Sequence, residues 1–258
     1  LEEFAATLRA IDAASFSKFQ RLVQHLKSPQ FNWQPADPSD RLVIFSERIE
    51  TLNWLQKTLP QAINLKPDEI AILHGTMTDT EQQELVDRFG RKADPVRVLL
   101  CSDVASEGLN LHYFCHRLVH FDLPWSLMVF QQRNGRVDRY GQTKQPRIVY
   151  VFTETGVERI KGDLRILEIL QTKDEQANKN LGDPASFLHV FDPEKEAAKV
   201  ADIMAAGISP EQFEDTIDAA QASSQRSAVG AGDDGGDWLL KLFAQTTAPD
   251  NGATAPKP

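Results

Sequence analysis

Residues 41–73 read RLVIFSERIETLNWLQKTLPQAINLKPDEIAIL, and this stretch decides the fold. It opens on a short apolar run, LVIF at 42–45, whose β-branched and aromatic make-up predicts a strand. Residues 47–59 follow with Ile49, Leu52, Leu55 and Leu59 at three- and four-residue spacing, the mark of a helix with one apolar side. A second apolar run at 70–73 predicts the next strand. The alternation continues outward. Residues 78–89 predict a helix opening on Thr78 and Glu81, a T-x-x-E pair that satisfies two N–H groups left unbonded at a helix start. VRVLL (96–100) and LVHF (118–121) predict a third and a fourth strand, 126–140 a helix with Gly135 inside it, and IVYVF (148–152) a fifth strand. Strands and helices alternating at this spacing predict an α/β fold: a mostly parallel sheet with helices on both faces.

The flanks differ. Residues 1–27 carry a helical apolar period, and SPQFNWQPADPSD (28–40), with three prolines, predicts a linker. The expected organisation is an N-terminal helix and linker (1–40), the α/β lobe (41–155), an appended helical region (156–220) and a flexible tail (221–258). In that tail DWLLKLF (237–243) forms a short amphipathic helix. Of 258 residues, 28 are Lys or Arg and 37 Asp or Glu, a net charge of −9, and 41% are hydrophobic. That balance excludes a wholly disordered, collagen-like or coiled-coil chain, and it argues against nucleic-acid binding over the whole surface while allowing a local basic cleft. No run of eighteen apolar residues exists, so no membrane span is expected. The start, LEEFAATLRA, lacks a secretory leader's basic and apolar regions, and its first residue, Leu1, suggests a piece of a longer protein. Cys101 and Cys115 are too few for a disulfide framework or a four-cysteine zinc site and fit a reducing, cytoplasmic compartment; no metal-ligand set is expected.

Four segments carry chemistry. FQQRNGRVDRYGQ (130–142) repeats arginine every third residue, at 133, 136 and 139, so a helix would align three guanidinium groups, fixed-charge forks suited to phosphate. Gly135 inside such a helix costs about 1 kcal/mol relative to alanine, which points to close approach by a backbone or ligand. In VLLCSDVASEGLNL (98–111) a buried strand ends at Ser102–Asp103, and Asp103, Glu107 and Asn110 are expected around the crevice beyond the carboxyl ends of the strands, where open α/β sheets bind ligands. ILHGT (72–76) and LVIFSER (42–48) place His74, Thr76 and Ser46 on the same edge as Ser102. Such a row of hydroxyls, N–H groups and an imidazole suits a phosphate backbone without reading bases. Taken singly, each is an ordinary cap, turn or charged-surface residue.

In order and spacing these segments, over 41–152, resemble the second RecA-like lobe of helicase superfamily two, a P-loop NTPase-type fold of three α/β/α layers. The likeness is greatest to the Swi/Snf-type ATPases of the bacterial RNA-polymerase-associated branch. LVIFSER resembles motif four, the LHG segment the element after it, CSDVASEGLNL motif five and QQRNGRVDRYGQ motif six. The resemblance implies that Arg136 and Arg139 are arginine fingers and that Gln132 couples the nucleotide site to the other lobe. Glu107, Gly108 and Asn110 fall at the ATP-binding end of motif five, Asn110 standing where other branches carry aspartate. Ser46, His74, Gly75, Ser102 and Asp103 match positions at the nucleic-acid backbone. It further implies ATP and Mg²⁺, bound mainly by lobe one, since this chain has no G-x-x-x-x-G-K-[ST] and no strand ending in D-E-x-H. The implied partners are lobe one of the same protein, DNA (double-stranded in the Swi/Snf branch) or RNA, and a protein docked by the helices after 155, with no membrane. Alone, the chain is expected to be inactive. Two rivals remain open: part of a strand-separating helicase, and a non-enzymatic interaction module on the same scaffold, against which the intact Arg136–Arg139 pair counts.

Overall fold

The computed structural model describes residues 10–103, 111–154, 163–164, 166–168, 170, 197–198 and 201. The expectations for residues 1–9, most of 156–220 and the 237–243 helix lie outside these. The chain divides into two units, Leu1–Pro210 and Glu211–Pro258, and every described residue belongs to the first.

Five strands, β1 (Arg41–Phe45), β2 (Ile70–Leu73), β3 (Val98–Cys101), β4 (Cys115–His120) and β5 (Arg147–Tyr150), form one sheet. Its order is β2-β3-β1-β4-β5 and every pairing is parallel. The helices are α1 (Ser17–Leu26), α2 (Ile49–Ile63), α3 (Asp79–Gly90) and α4 (Leu127–Asn134). Side chains alternate across a strand, so β1 sends Leu42 and Ile44 to one core and Val43 and Phe45 to the other. The first core takes Phe19, Leu22 and Leu26 of α1 and Leu52, Leu55 and Leu59 of α2. The second takes Leu85, Val86 and Phe89 of α3, with Leu111 and Val137. All five residues of β1 are buried, as a central parallel strand covered on both faces requires. The fold is the expected three-layer α/β/α arrangement.

Local features follow from the chain. Thr78 caps α3: its Oγ1 accepts from the Glu81 N–H at 3.3 Å, and the Glu81 carboxylate accepts from the Thr78 N–H at 2.8 Å. Helix α2 runs past Pro60 to Ile63, four residues beyond the predicted end, although the proline ring lacks the N–H that would bond the Gln56 carbonyl. Asn64, at φ 58°, then turns the chain out.

Two expectations change. The stretch 28–40 is loop, as its prolines indicate, but it is packed. Phe31 and Trp33 are buried in the first core, and Trp33 Nε1 donates to the Asp40 carbonyl at 2.8 Å. Strand β4 begins at Cys115, three residues before the apolar run, because Arg117 is buried with a partner: its Nε donates to Asp40 Oδ1 at 2.7 Å and its Nη2 to the Asn32 carbonyl at 2.9 Å.

Candidate functional site

The parallel register aligns the carboxyl ends of the strands. Cys101 of β3 lies opposite Phe45 of β1 and Leu73 of β2, and His120 of β4 lies opposite Phe45 and Tyr150. The next residue of each chain segment continues the ladder: Ser46 N–H donates to the Cys101 carbonyl and Ser102 N–H to the Leu73 carbonyl. Ser46, His74–Gly75 and Ser102–Asp103 therefore emerge on one edge, as the sequence predicts. Glu107, Gly108 and Asn110 lie outside the described residues.

Along that edge the groups have different freedom. Ser102 is buried, and its Oγ has no hydrogen-bond partner among the described residues. Ser46 Oγ donates to Asp122 Oδ2 at 2.5 Å, and the Glu47 N–H also donates to that carboxylate at 3.1 Å. His74 is half-buried, with Nδ1 2.7 Å from Thr76 Oγ1, and Gly75 is exposed. Burial raises the Cys101 thiol beneath this edge well above its ordinary range, so it stays protonated and inert.

The arginine segment departs from one continuous helix. Ser126 caps α4, accepting from the Val129 N–H at 3.3 Å, and α4 ends at Asn134 with Gly135 as its C-cap. The three arginines therefore share no helix side. Gly135 leaves little room for a side chain, since a built Cβ would stand 3.3 Å from the Gln131 carbonyl oxygen. The chain continues in turns closed by Val137 N–H to the Asn134 carbonyl and Gln142 N–H to the Arg139 carbonyl. Gln132 and Arg139 are exposed, Arg136 is half-buried, and Val137 between them anchors the turn in the second core.

Arg133 is the group that sequence spacing leaves indistinct. Its side chain is 1% exposed. Nε and Nη2 grip both oxygens of Asp103 at 2.5 and 2.8 Å, Nη1 donates to the Asp122 carbonyl at 2.9 Å, and both Nη atoms lie 3.4 Å from Asp122 Oδ1. The guanidinium also sits 5.5 Å over the Phe45 ring. Its neighbour Asn134 approaches His120 Nε2 through Oδ1 at 2.8 Å and donates from Nδ2 to the Tyr150 hydroxyl at 3.3 Å. Arg133 Nη1, which only donates, faces His120 Nδ1 at 3.4 Å, so Nδ1 accepts and Nε2 carries the proton toward Asn134. Burial first, and then the Arg133 charge, push the His120 pKa down to about 3, so the ring is neutral. Asp122 and His120 carry no sequence signal, and Asn134 and Gln142 lie inside the 130–142 segment without a role of their own at that stage. Gln142 Nε2 lies 3.0–3.1 Å from the carbonyls of His112, Cys115 and Val137, which ties the turn after Arg139 to β4.

The fully parallel five-stranded sheet with helices on both faces is the RecA-like arrangement expected from the sequence. Residues 17–141 match the model of the helicase conserved C-terminal domain. Among named relatives, the RNA polymerase-associated protein RapA of Yersinia enterocolitica is 28% identical over 129 residues, and that of Yersinia pestis 29%. Each match covers 50% of this chain and 13% of the relative, so the chain spans a small part of those proteins. Similar solved structures include the C-terminal part of the Fun30 ATPase domain (18% identity, TM-score 0.43, 62% of this chain and 54% of that one). Another is the C-terminal domain of the DEAD-box protein Dbp5 (22% identity, TM-score 0.45, 62% and 79%).

Proposed function

We propose that this chain is the second motor lobe of an ATP-dependent nucleic-acid translocase of the Swi/Snf type, supplying arginine fingers and contacts to the nucleic-acid backbone. The observation that carries the reading is the turn after Gly135: it presents Arg136 and Arg139, and just before it Arg133 is bonded to Asp103 of the polar row while Asn134 is bonded to Tyr150 at the end of β5.

The described residues fit part of a nucleotide site. Arg136 and Arg139 provide permanent positive charge on forks suited to phosphate oxygens. Among the described residues no group of three or more His, Cys, Asp or Glu side chains forms a metal-ion cage, and Asp103 and Asp122 are both engaged by Arg133. In this reading Mg²⁺ is held mainly by lobe one, as the family resemblance implies. ATP bound there supplies the phosphoryl group to be transferred. The two arginines of this lobe approach it when the lobes close and stabilise the negative charge that develops, an effect of about 10³–10⁵ in rate in comparable systems. In this reading Gln132, exposed one turn earlier, couples that closure to the opposite lobe.

For the nucleic acid, His74 and the Gly75 N–H are the most accessible donors, and Ser102, whose Oγ is unpaired among the described residues, lies buried beside them. The single proton of Ser46 is directed at Asp122, and Asp103, an acceptor held by Arg133, serves as support for the row. Contacts of this kind hold a phosphate backbone and leave base sequence unread. The track is double-stranded DNA in this reading, with RNA as the alternative outcome of a binding test, and the site of action is the cytoplasm. The relatives' name associates them with RNA polymerase, which makes that enzyme the first protein partner to test.

The test is turnover. The 258-residue chain alone hydrolyses no ATP with or without nucleic acid, whereas a longer protein that includes lobe one does so with nucleic-acid stimulation. Appreciable stimulated turnover by the chain alone refutes the division of labour. Tight, salt-resistant oligonucleotide binding by the chain alone contradicts the shared-cleft reading, because a net charge of −9 opposes it.

A further inference from the structure

We infer that Arg133 is a positioning residue that ties the nucleic-acid row to the finger turn, so that a nucleic-acid backbone seated at the strand ends shifts Arg136 and Arg139. The inference rests on the motor-lobe reading above and adds a residue and a route to it.

The geometry is a chain of direct bonds. On one side, Ser46 donates to Asp122, and Asp103 directly follows Ser102. On the other side, Arg133 and Asn134 are the last two residues of α4, and the Arg136 N–H donates to the Arg133 carbonyl at 3.1 Å. Between them, the five N–H bonds of one guanidinium face acceptors from two strand ends: Asp103 after β3, and Asp122 and His120 at the end of β4. A buried arginine in a fork of this kind has one well-fitting orientation. Any motion of Asp103 or Asp122 is therefore transmitted to the Arg133 backbone and from there to the finger turn. A phosphate arriving at the row disturbs both carboxylates, because it places negative charge beside Asp103 and Asp122, each of which is partly exposed. A lysine keeps the charge but has a single compact head that cannot grip two carboxylates in a fixed plane. The contact is thus a geometric requirement as well as an electrostatic one.

The experiment uses the 258-residue chain, without nucleotide, and the arginine Nε–H resonances in ¹⁵N–¹H spectra. A short DNA duplex is titrated at low salt, and the backbone amides of Ser46, His74, Gly75 and Ser102 report its arrival. The expected result is that these amides and the Arg136 and Arg139 side-chain signals all shift in the wild type. In Arg133→Lys the amides still shift while the Arg136 and Arg139 responses are lost. Asp122→Asn, which keeps the shape of the site and removes one carboxylate charge, gives the same loss and serves if the lysine variant fails to fold. Equal finger responses in wild type and folded variants overturn the inference and leave the motor-lobe reading standing. The same holds if the wild-type row responds and its fingers do not. A wild-type row that shows no response to saturating duplex overturns both.

Discussion

Replacing Arg117 by methionine will cost the folded chain about 3–5 kcal/mol, the usual penalty for breaking a buried ion pair by removing one partner. The pair lies away from the functional edge, at the amino end of β4. The Arg117 and Asp40 side chains are 6% and 7% exposed and meet at 2.7 Å, with a second contact from Nη2 to Asp40 Oδ2 at 3.3 Å. Arg117 also bonds the Phe31 and Asn32 carbonyls and stacks 5.0 Å over the Phe31 ring. Asp40 accepts from the Gln34 N–H at 2.9 Å, and its carbonyl holds Trp33. Methionine fills part of the space but leaves a buried carboxylate facing it and two carbonyls without their donor. With a urea slope of about 2 kcal/mol per M, the unfolding midpoint followed by circular dichroism falls by about 1.5–2.5 M. Asp40→Asn keeps a neutral acceptor beside the charge, so its loss is smaller, about 1.5–3 kcal/mol, the worth of a hydrogen bond to a charged group. A loss below about 1 kcal/mol for Arg117→Met, the range of exposed pairs, would show that water reaches the pair and that the 28–40 loop is not part of the core.

Three further outcomes are expected. Arg136→Ala in the longer motor protein lowers ATP turnover by about 10³-fold or more; a change under tenfold removes the finger assignment. Gly141 sits at φ +97°, and a built Cβ meets its neighbours no closer than 3.7 Å, so Gly141→Ala carries backbone strain alone, about 1–3 kcal/mol by urea unfolding. His120 stays neutral in the fold down to about pH 3, whereas the unfolded chain takes up that proton near its ordinary 6.5. Its share of stability is complete above pH 6.5 and declines as pH falls toward 3, by up to about 1.4 kcal/mol per unit. His25, His112 and His116 are shifted in the same direction. The specific check is therefore that His120→Gln unfolds with a shallower pH dependence than wild type between pH 7 and 5; identical slopes refute the assignment.

The sheet is legible because its three inner strands are buried on both faces and its edge strands are still short apolar runs: β2 matches its predicted bounds, and the centres of β1, β3 and β5 fall inside their predicted stretches. What pattern alone misses is burial of polar groups by distant partners. Cys115, His116 and Arg117 look like a loop, yet they form the first half of β4 because Asp40, 77 residues before Arg117, neutralises its charge. The same pair converts a proline-rich stretch from an apparent linker into packed loop. Prolines mark where regular hydrogen bonding stops; they carry no information on whether Phe31 and Trp33 between them are buried.

At the candidate site, the strand ends and the arginine turn were legible as positions, but the division of labour among three equally spaced arginines was not. A three-residue spacing describes one helix side only while the helix lasts, and α4 stops at Asn134. Arg133 remains inside it and faces inward, whereas Arg136 and Arg139 follow in turns whose direction is set by Gly135, Val137 and Gln142. The arginine that becomes structural is chosen by carboxylates 30 and 11 residues earlier, at the ends of two different strands. Their placement depends on β3 and β4 flanking β1, a sheet order that no local pattern encodes. Charge spacing therefore locates the candidate segment, and only topology separates the buried Arg133 from the two arginines in the turns that follow it.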